Sequence, residues 1–422
     1  MLTYLKKINF YAFLLGVFTL PIYQTINHWF FGVLIGAGLL SVILSKLAFN
    51  QLKTSIKHIL LFSGLLLFLR LVTLLYTPDM RMGIKELTRA LPFFLYPIAV
   101  LSINSNTKFN FYRFERKLFW ALTAGCIVTA IICWTNIILT LESNPIPQNQ
   151  LFGWKKSGIY LTQILDLHPP YLGLLICGSI LFMFRESYYN KDLSRVTKYI
   201  IYFLILFLLV FLFNLTARNT MFFLGISSLI FFIYNRQWKF VIAMFALFSI
   251  TIAAIIFHPS QYYRLKMYHM LGLSDEEDVE DKRFKRLEAS YNVFKSSPII
   301  GVGLGKDIKM KVEEYRKLND KIAVEKGFNS HNQFFEYLAA YGLIGGGIFV
   351  FVLGLFFYFL VKHKYYFYLL IFLNIVFATI TESLFERALG IQYYSIIVSI
   401  AILKFNALNT SNSKQRLYEN EA

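Results

Sequence analysis

The sequence predicts an all-α fold: a polytopic transmembrane helix bundle of about twelve spans, with one long external loop that holds short helices between spans 9 and 10. Three observations predict it. The 422 residues are 57% hydrophobic and 18% aromatic but only 16% charged, with a mean hydropathy of +0.54. A soluble chain carries about a quarter charged residues. The apolar residues arrive in blocks of roughly 17 to 25, the length that crosses a bilayer. The basic residues gather at alternate ends of these blocks. Together these features exclude a soluble enzyme, a secreted disulfide scaffold and a disordered chain.

The blocks fall at about 8–25, 29–45, 58–76, 87–103, 117–140, 170–184, 199–214, 219–235, 239–257, 333–361, 365–380 and 388–405. The first follows Lys6 and Lys7, as a secretion signal would. No small-residue cleavage site follows it, and Pro21-Ile22-Tyr23-Gln24 leads on to the next block, so it reads as a retained helix. Cys126, Cys133 and Cys177 lie inside apolar runs without a Cys-x-x-Cys pair. They read as small core residues, not as metal ligands or disulfides.

Placing the N-terminus in the cytoplasm puts twenty basic residues in cytoplasmic segments, from Lys6 and Lys7 to Lys404, Lys414 and Arg416. The short outer loops keep seven: Arg81, Lys85, Arg89, Lys155, Lys156, Arg218 and Arg387. This asymmetry predicts N-in and C-in topology with an even number of spans. It also accounts for most of the net charge of +18, which therefore records insertion and does not call for nucleic acid. Arg70 stands apart, deep in the third span. Residues 1–257 read as spans 1–9, 258–332 as the periplasmic loop, 333–405 as spans 10–12 and 406–422 as a cytoplasmic tail, one membrane domain overall.

The long loop has internal pattern. His258-Pro259 closes the ninth span, and Ser274 to Asp278 form an acidic turn. Phe284, Leu287, Tyr291 and Phe294 recur at three- and four-residue spacing, which predicts an amphipathic helix. Ser296-Ser297-Pro298 ends it, and residues 308–326 form a second, polar helix. Gly301-Val302-Gly303-Leu304-Gly305 lacks the Gly-Lys-Ser/Thr of a nucleotide loop, so it reads as a close-packed turn. Gly342, Gly345, Gly346, Gly347 and Gly354 on the tenth span predict tight helix packing.

Several residues could carry chemistry. Ser330-His331-Asn332-Gln333 precedes the tenth span and fits a capping box, with Ser330 as N-cap and His331 as the first helical residue. The helix dipole would then favour neutral imidazole, which can take a proton from a hydroxyl. An interfacial capping histidine reads the same on spacing alone. Arg218 sits in the tight turn Leu215-Thr216-Ala217-Arg218-Asn219-Thr220, where a charge between apolar helices is costly unless paired, functional or snorkelling. Arg283 and Arg286 lie one helical turn apart and can share an anion, or form a solvated face. His168-Pro169-Pro170-Tyr171 opens the sixth span. Glu382, Glu386 and Arg387 crowd the last outer loop, where mutual ion pairing is the simplest account. On this topology the set lies on the outer side, which suits an amphiphilic diphosphate with its tail in the membrane.

These segments resemble the O-antigen ligase / O-antigen polymerase superfamily of bacterial membrane glycosyltransferases. The likeness is carried by Arg283-Phe284-Lys285-Arg286-Leu287, by Ser297-Pro298-Ile299-Ile300-Gly301-Val302-Gly303, by His331-Asn332 and by Tyr341-Gly342-Leu343-Ile344-Gly345. Thr216-Ala217-Arg218-Asn219 is similar to the family's Ser/Thr-x-Arg turn. His168-Pro169-Pro170-Tyr171 and Glu386-Arg387-Ala388-Leu389-Gly390 resemble segments of one branch. Leu287 departs from the family, which often has Trp there.

The resemblance implies transfer of a glycan from undecaprenyl diphosphate to lipid A–core on the periplasmic face of the cytoplasmic membrane, inverting and without metal or cofactor. His331 would be the base that activates the acceptor hydroxyl. Arg218 and Arg283 would bind the diphosphate, with Arg286 as the alternative if the register slips by a turn. His168, Asn332, Glu386 and Arg387 would support the site. A polymerase of the same superfamily or a ligase acting on protein would share it. A polysaccharide or lipid transporter is the reading outside the class, against which stands the lack of internal repeats and midplane acids.

Overall fold

The computed structural model describes residues 1–44, 49–104, 109–143, 157–256 and 282–420. Among these residues the chain is helical and contains no strand. Among the described residues each of the twelve apolar blocks is helical over most of its length, but fewer of them qualify as membrane spans. Six helices are long and apolar enough to cross a membrane: Gln24–Leu44, Lys53–Thr73, Phe111–Thr140, Arg195–Asn214, Gln333–Lys362 and Ala388–Asn409. A bent pair, Ile159–Leu165 with Pro169–Tyr189, qualifies jointly across an 85° angle. Arg218–Tyr234 and Tyr366–Thr381 are apolar but shorter. The expected block 87–103 divides at Pro92, into a charged helix Met80–Ala90 and a ten-residue apolar helix Pro92–Leu101. The acidic run 274–278 and His258-Pro259 lie outside the described residues.

Contacts group the helices into two units: residues 1–122 with 281–422, and residues 123–280. In the first unit the helices are α1 (Leu2–Thr19), α2 (Gln24–Leu44), α3 (Phe49–Ile59), α4 (Leu65–Thr73), α5 (Met80–Ala90), α6 (Pro92–Leu101) and the start of α7 (Phe111–Ser143). The last span, Ala388–Asn409, runs through its core and is the most buried. A π-turn, Leu60–Gly64, joins α3 to α4. Such turns free backbone groups, and here the Tyr394 hydroxyl donates to the Phe62 carbonyl. The second unit holds the rest of α7, then α8 (Ile159–Thr162), α9 (Pro169–Tyr189), α10 (Arg195–Asn214), α11 (Arg218–Tyr234) and α12 (Trp238–Ile256). The three cysteines are buried free thiols.

Past residue 281 the first unit continues with α13 (Lys282–Ser296), α14 (Lys306–Lys317), α15 (Lys321–Lys326), α16 (Gln333–Lys362), α17 (Tyr366–Thr381) and α18 (Ala388–Asn420). The helix expected from Phe284 to Phe294 is present, but that spacing does not mark its inner face: Phe284 and Tyr291 are exposed, and Leu287 and Phe294 are half-buried. Small residues, Ala289, Ser290 and Val293, face inward. Val293 packs with Val302 and Ala339, which brings α13 close against α16. The polar stretch 308–326 is two helices because Asp320 caps the second, its carboxylate accepting from the Ala323 N–H at 3.1 Å.

The tenth span is not continuous. Gly342 has φ 64° and ψ −163°, so α16 breaks there into two stretches. A break inside a membrane helix must have its freed backbone groups satisfied by protein. The turn 298–303 does this. Val302 and Gly303 donate to the Ala339 and Ala340 carbonyls at 3.1 and 3.0 Å, and Leu343 and Ile344 donate to the Pro298 and Ile299 carbonyls at 2.8 and 3.2 Å. Gly301, at φ 73°, faces Gly342 across this seam, and a Cβ on either would overlap the opposite backbone. The close-packed glycine turn is thus present. The glycine row along the span is a helix-packing contact at one position only: a Cβ on Gly345 would lie 3.2 Å from Leu69 of α4, whereas Gly342 makes the break and nothing lies within 4 Å of a Cβ at Gly347 or Gly354.

Candidate functional site

The first unit assembles a polar site where α16 begins. Asn332 is the N-cap of α16, its Oδ1 accepting from the Phe334 and Phe335 N–H groups at 2.9 and 3.3 Å. This corrects the expected cap. Ser330 is not the N-cap and His331 is not the first helical residue, because the turn aims the Asn332 side chain at the two orphan amides and the Ser330 hydroxyl elsewhere. The Ser330 hydroxyl instead donates to the Asn332 carbonyl at 2.8 Å. Gln333, the supposed box partner, accepts from the Phe385 N–H and donates to Glu386 Oε1 at 3.1 Å.

His331 therefore stands in the turn before the helix, at φ 52°. Left-handed backbone is uncommon for residues other than glycine, and it persists where surrounding structure holds it. The His331 N–H donates to Asn329 Oδ1 at 3.2 Å, and its Nδ1 lies 3.0 Å from Glu382 Oε2. A carboxylate at Nδ1 holds the proton on that nitrogen, which leaves Nε2 as the acceptor. The side chain stays 18% exposed, so a substrate hydroxyl can reach it. The ring is thus oriented by a carboxylate and not by the dipole of α16.

Glu382 is held by a tightly tied turn. Asn332 Nδ2 donates to the Ile380 carbonyl at 3.0 Å. Arg70, fully buried, donates to the Phe385 and Glu86 carbonyls at 2.6 and 3.0 Å. It also lies 3.6 Å from Glu386 Oε1 and 4.0 Å from Glu86 Oε2. Arg89 bonds Glu86 at 2.6 Å and the Glu386 carbonyl at 2.9 Å. The Glu386–Arg387 pairing expected in the loop does not form. Glu386 turns to Arg70 and Gln333, and Arg387 is exposed, without an ion pair among the described residues. Burial pushes the Glu386 carboxyl up to about 7, opposed by Arg70 and reinforced by Glu86. Arg70 and Glu382 were missed as site residues. An arginine inside a span was the signal for the first. The second had only its place in a crowded loop.

A second buried cluster braces the turn from the loop side. Lys311 pairs with Glu336 and, at 3.0 Å, with Asp307, all three buried. Burial alone would lower the Lys311 ammonium, but the Glu336 and Asp307 carboxylates outweigh it and hold it well above the ordinary range. Glu336 also accepts from the Ser330 N–H, next to His331.

The two loop arginines differ. Arg286 lies with its guanidinium 4.3 Å from the Phe328 ring centre and its Nε 3.7 Å from Asp320 Oδ2, and Phe328 neighbours the His331 ring at 6.2 Å. Arg283, one turn earlier on α13, is exposed. The expectation that both point at one anion meets this division, one arginine stacked inward and one outward.

In the second unit, His168 is the N-cap residue of α9 and Arg218 is the first residue of α11. The turn before Arg218 is sharp. Thr216 has φ 52°, Arg218 N–H donates to the Thr216 carbonyl at 2.9 Å, and Gly158 N–H donates to the Asn214 carbonyl at 3.1 Å. Gly173 on α9 packs against Ala217 and Thr220, so both helices open at the same end of the unit. Arg218 is exposed at a helix N-terminus, where a cation is unfavourable for the helix itself. The helix dipole therefore does not explain its place.

A family model described as O-antigen ligase matches residues 203–350. The match spans from α10 past the break in α16 and includes Arg218, Arg283, Arg286, His331 and Asn332. His168, Glu382, Glu386 and Arg387 lie outside it. No curated protein matches the chain. Members of the matched family are glycosyltransferase-like enzymes. With its apolar helices the chain is a multi-pass membrane protein, and over residues 203–350 it is similar to the O-antigen ligase family.

Proposed function

We propose that the protein is an O-antigen ligase-type glycosyltransferase, moving a glycan from undecaprenyl diphosphate to lipid A–core on the periplasmic face of the inner membrane. The observation that carries this reading is the Glu382–His331 pair at 3.0 Å, whose histidine stands in a left-handed turn inside the matched region. His331 Nε2 takes the proton of the acceptor hydroxyl. That oxygen attacks the anomeric carbon from the face opposite the leaving group, so configuration inverts. The bond from the anomeric carbon to the diphosphate oxygen breaks, and undecaprenyl diphosphate departs with the electron pair. Arg218 and Arg283 hold the diphosphate, where fixed guanidinium charge stabilises negative charge as it builds up. Arg286 supports Phe328 beside the histidine, and Arg70 fixes the turn that presents Glu382. The donor is already activated, so no nucleotide or metal enters the scheme.

His331→Ala removes the base and reduces transfer by about 10²–10⁴-fold with expression intact. Glu382→Gln keeps the shape of the pair but removes its charge, and transfer falls while donor binding holds. Transfer by His331→Ala at the wild-type rate sinks the base assignment. The acceptor is tested by deleting the gene. Long lipid-linked glycan accumulating beside bare core marks a ligase, core bearing single repeat units marks a polymerase, and an unchanged ladder removes both.

A further inference from the structure

The outer-loop helix α5 has three faces. Gly83, Glu86 and Ala90 point into the protein. Met80, Ile84 and Leu91 form an exposed apolar stripe, 49%, 51% and 36% accessible. Arg81, Lys85 and Arg89, at four-residue spacing, form a basic stripe beside it. Arg81 and Lys85 are exposed and make no ion pair among the described residues, whereas Arg89 is tied to Glu86 and to the Glu386 carbonyl. The helix lies at the same end of the unit as the site. Asp79, its N-cap, pairs with Lys309 of α14 at 2.8 Å, and Thr77 just before it bonds the Leu304 carbonyl. Its far end, through Arg89, holds the turn that carries Glu386 and Glu382.

Basic residues on an outer loop run against the charge bias that orients the chain. A basic stripe beside an apolar one is the pattern of a helix that meets anionic amphiphiles. We propose that α5 is the docking face for the acceptor: a lipid-anchored saccharide carrying phosphate, its acyl chains along Met80, Ile84 and Leu91 and its phosphates on Arg81 and Lys85. This rests on the glycosyl-transfer reading above. The donor diphosphate is assigned to other arginines, and the acceptor must bring a hydroxyl to His331. Arg89 of α5 and Gln333 of α16 bind the same short segment, 385–386, which links the helix to the turn that presents His331. Successive basic residues rise about 6 Å along the helix, so a headgroup with two separated phosphates engages both.

The test uses the full-length protein in detergent, with bisphosphorylated lipid A and its fully dephosphorylated counterpart as probes. Binding is read by native mass spectrometry and transfer in a reconstituted assay. Wild type is expected to prefer the phosphorylated probe by about 30-fold, roughly tenfold or less per basic residue. Arg81→Ala/Lys85→Ala is expected to lose that preference and to raise KM for the phosphorylated acceptor to match, with KM for the donor unchanged. Both substitutions are at exposed sites and alanine favours helix, so the fold is retained. A double variant that keeps the wild-type preference overturns the docking face while leaving the transfer reading standing. Phosphate-dependent binding by a wild type that transfers no glycan overturns the transfer reading while leaving the face. Displacement of the probe by an equal amount of phosphatidylglycerol overturns its assignment to the acceptor.

Discussion

Gly342→Ala tests the seam that sets the site, and its cost can be worked from two sides. If the seam stays closed, alanine must adopt φ 64° and ψ −163°, a region open essentially to glycine alone. That strain is about 1–3 kcal/mol. Its Cβ would also overlap the Ile299 carbonyl and lie 2.5 Å from the Gly301 nitrogen. Both are backbone, which cannot turn aside as a side chain does, and such overpacking adds about 1–3 kcal/mol. If instead the seam opens, the four bonds between 298–303 and 339–344 are lost at about 1 kcal/mol each. Either route gives about 4 kcal/mol. Gly347→Ala is the matched control: its Cβ meets nothing within 4 Å, and in a helix it gains up to about 1 kcal/mol. The assay is denaturation of the purified protein in detergent, with transfer measured alongside. A Gly342→Ala protein as stable as Gly347→Ala would refute the argument, because the break would then carry no structural demand for glycine.

Three further outcomes are expected. Glu386 has a folded-state carboxyl near 7, raised by burial above its ordinary 4.5, so between these values the folded protein holds a proton that the unfolded chain has released. Stability should fall as pH rises from about 4.5 to about 7, and Glu386→Gln should flatten that part of a melting-temperature profile; an unchanged slope counts against it. Lys311→Met leaves Glu336 and Asp307 buried without their cation and should cost about 3–5 kcal/mol in denaturant titration, whereas replacing the partners as well should restore part of it. Arg218→Ala and Arg283→Ala should each weaken binding of the lipid-linked donor about tenfold or more while leaving thermal stability within about 0.5 kcal/mol, since both are exposed; equal donor affinity in either variant removes that arginine from the diphosphate site.

What was legible in the sequence is what local pattern encodes. Apolar block length located the six helices that are long enough to cross a membrane among the described residues, and the spacing of Phe284, Leu287, Tyr291 and Phe294 located α13. The same spacing misplaced its inner face, because close approach to α16 selected the small residues Ala289 and Val293, not the large ones. His331 and the two exposed arginines stood out through ordered motifs. Their partners did not. Glu382 meets His331 across 51 positions and Arg70 meets Phe385 across 315, and no periodicity reports such pairings. The cap slipped by two residues because Ser330 and Asn332 compete for one role, and the contest is decided by which side chain the turn aims at the free amides. The break at Gly342 was hidden for a related reason: the span stays apolar throughout, and its missing bonds are supplied by a turn some forty residues earlier.

The seam at Gly342 also bears on how the protein can vary. Its four bonds join main chain to main chain, so they read no side chain on either strand of the junction. Ile299 and Ile300 point outward and are 63% and 50% exposed. Their side chains can change without touching those bonds, while the two glycines hold the register between α13 and the histidine turn. Arg283 and His331 are thereby kept in step by a joint that is blind to most of its own residues.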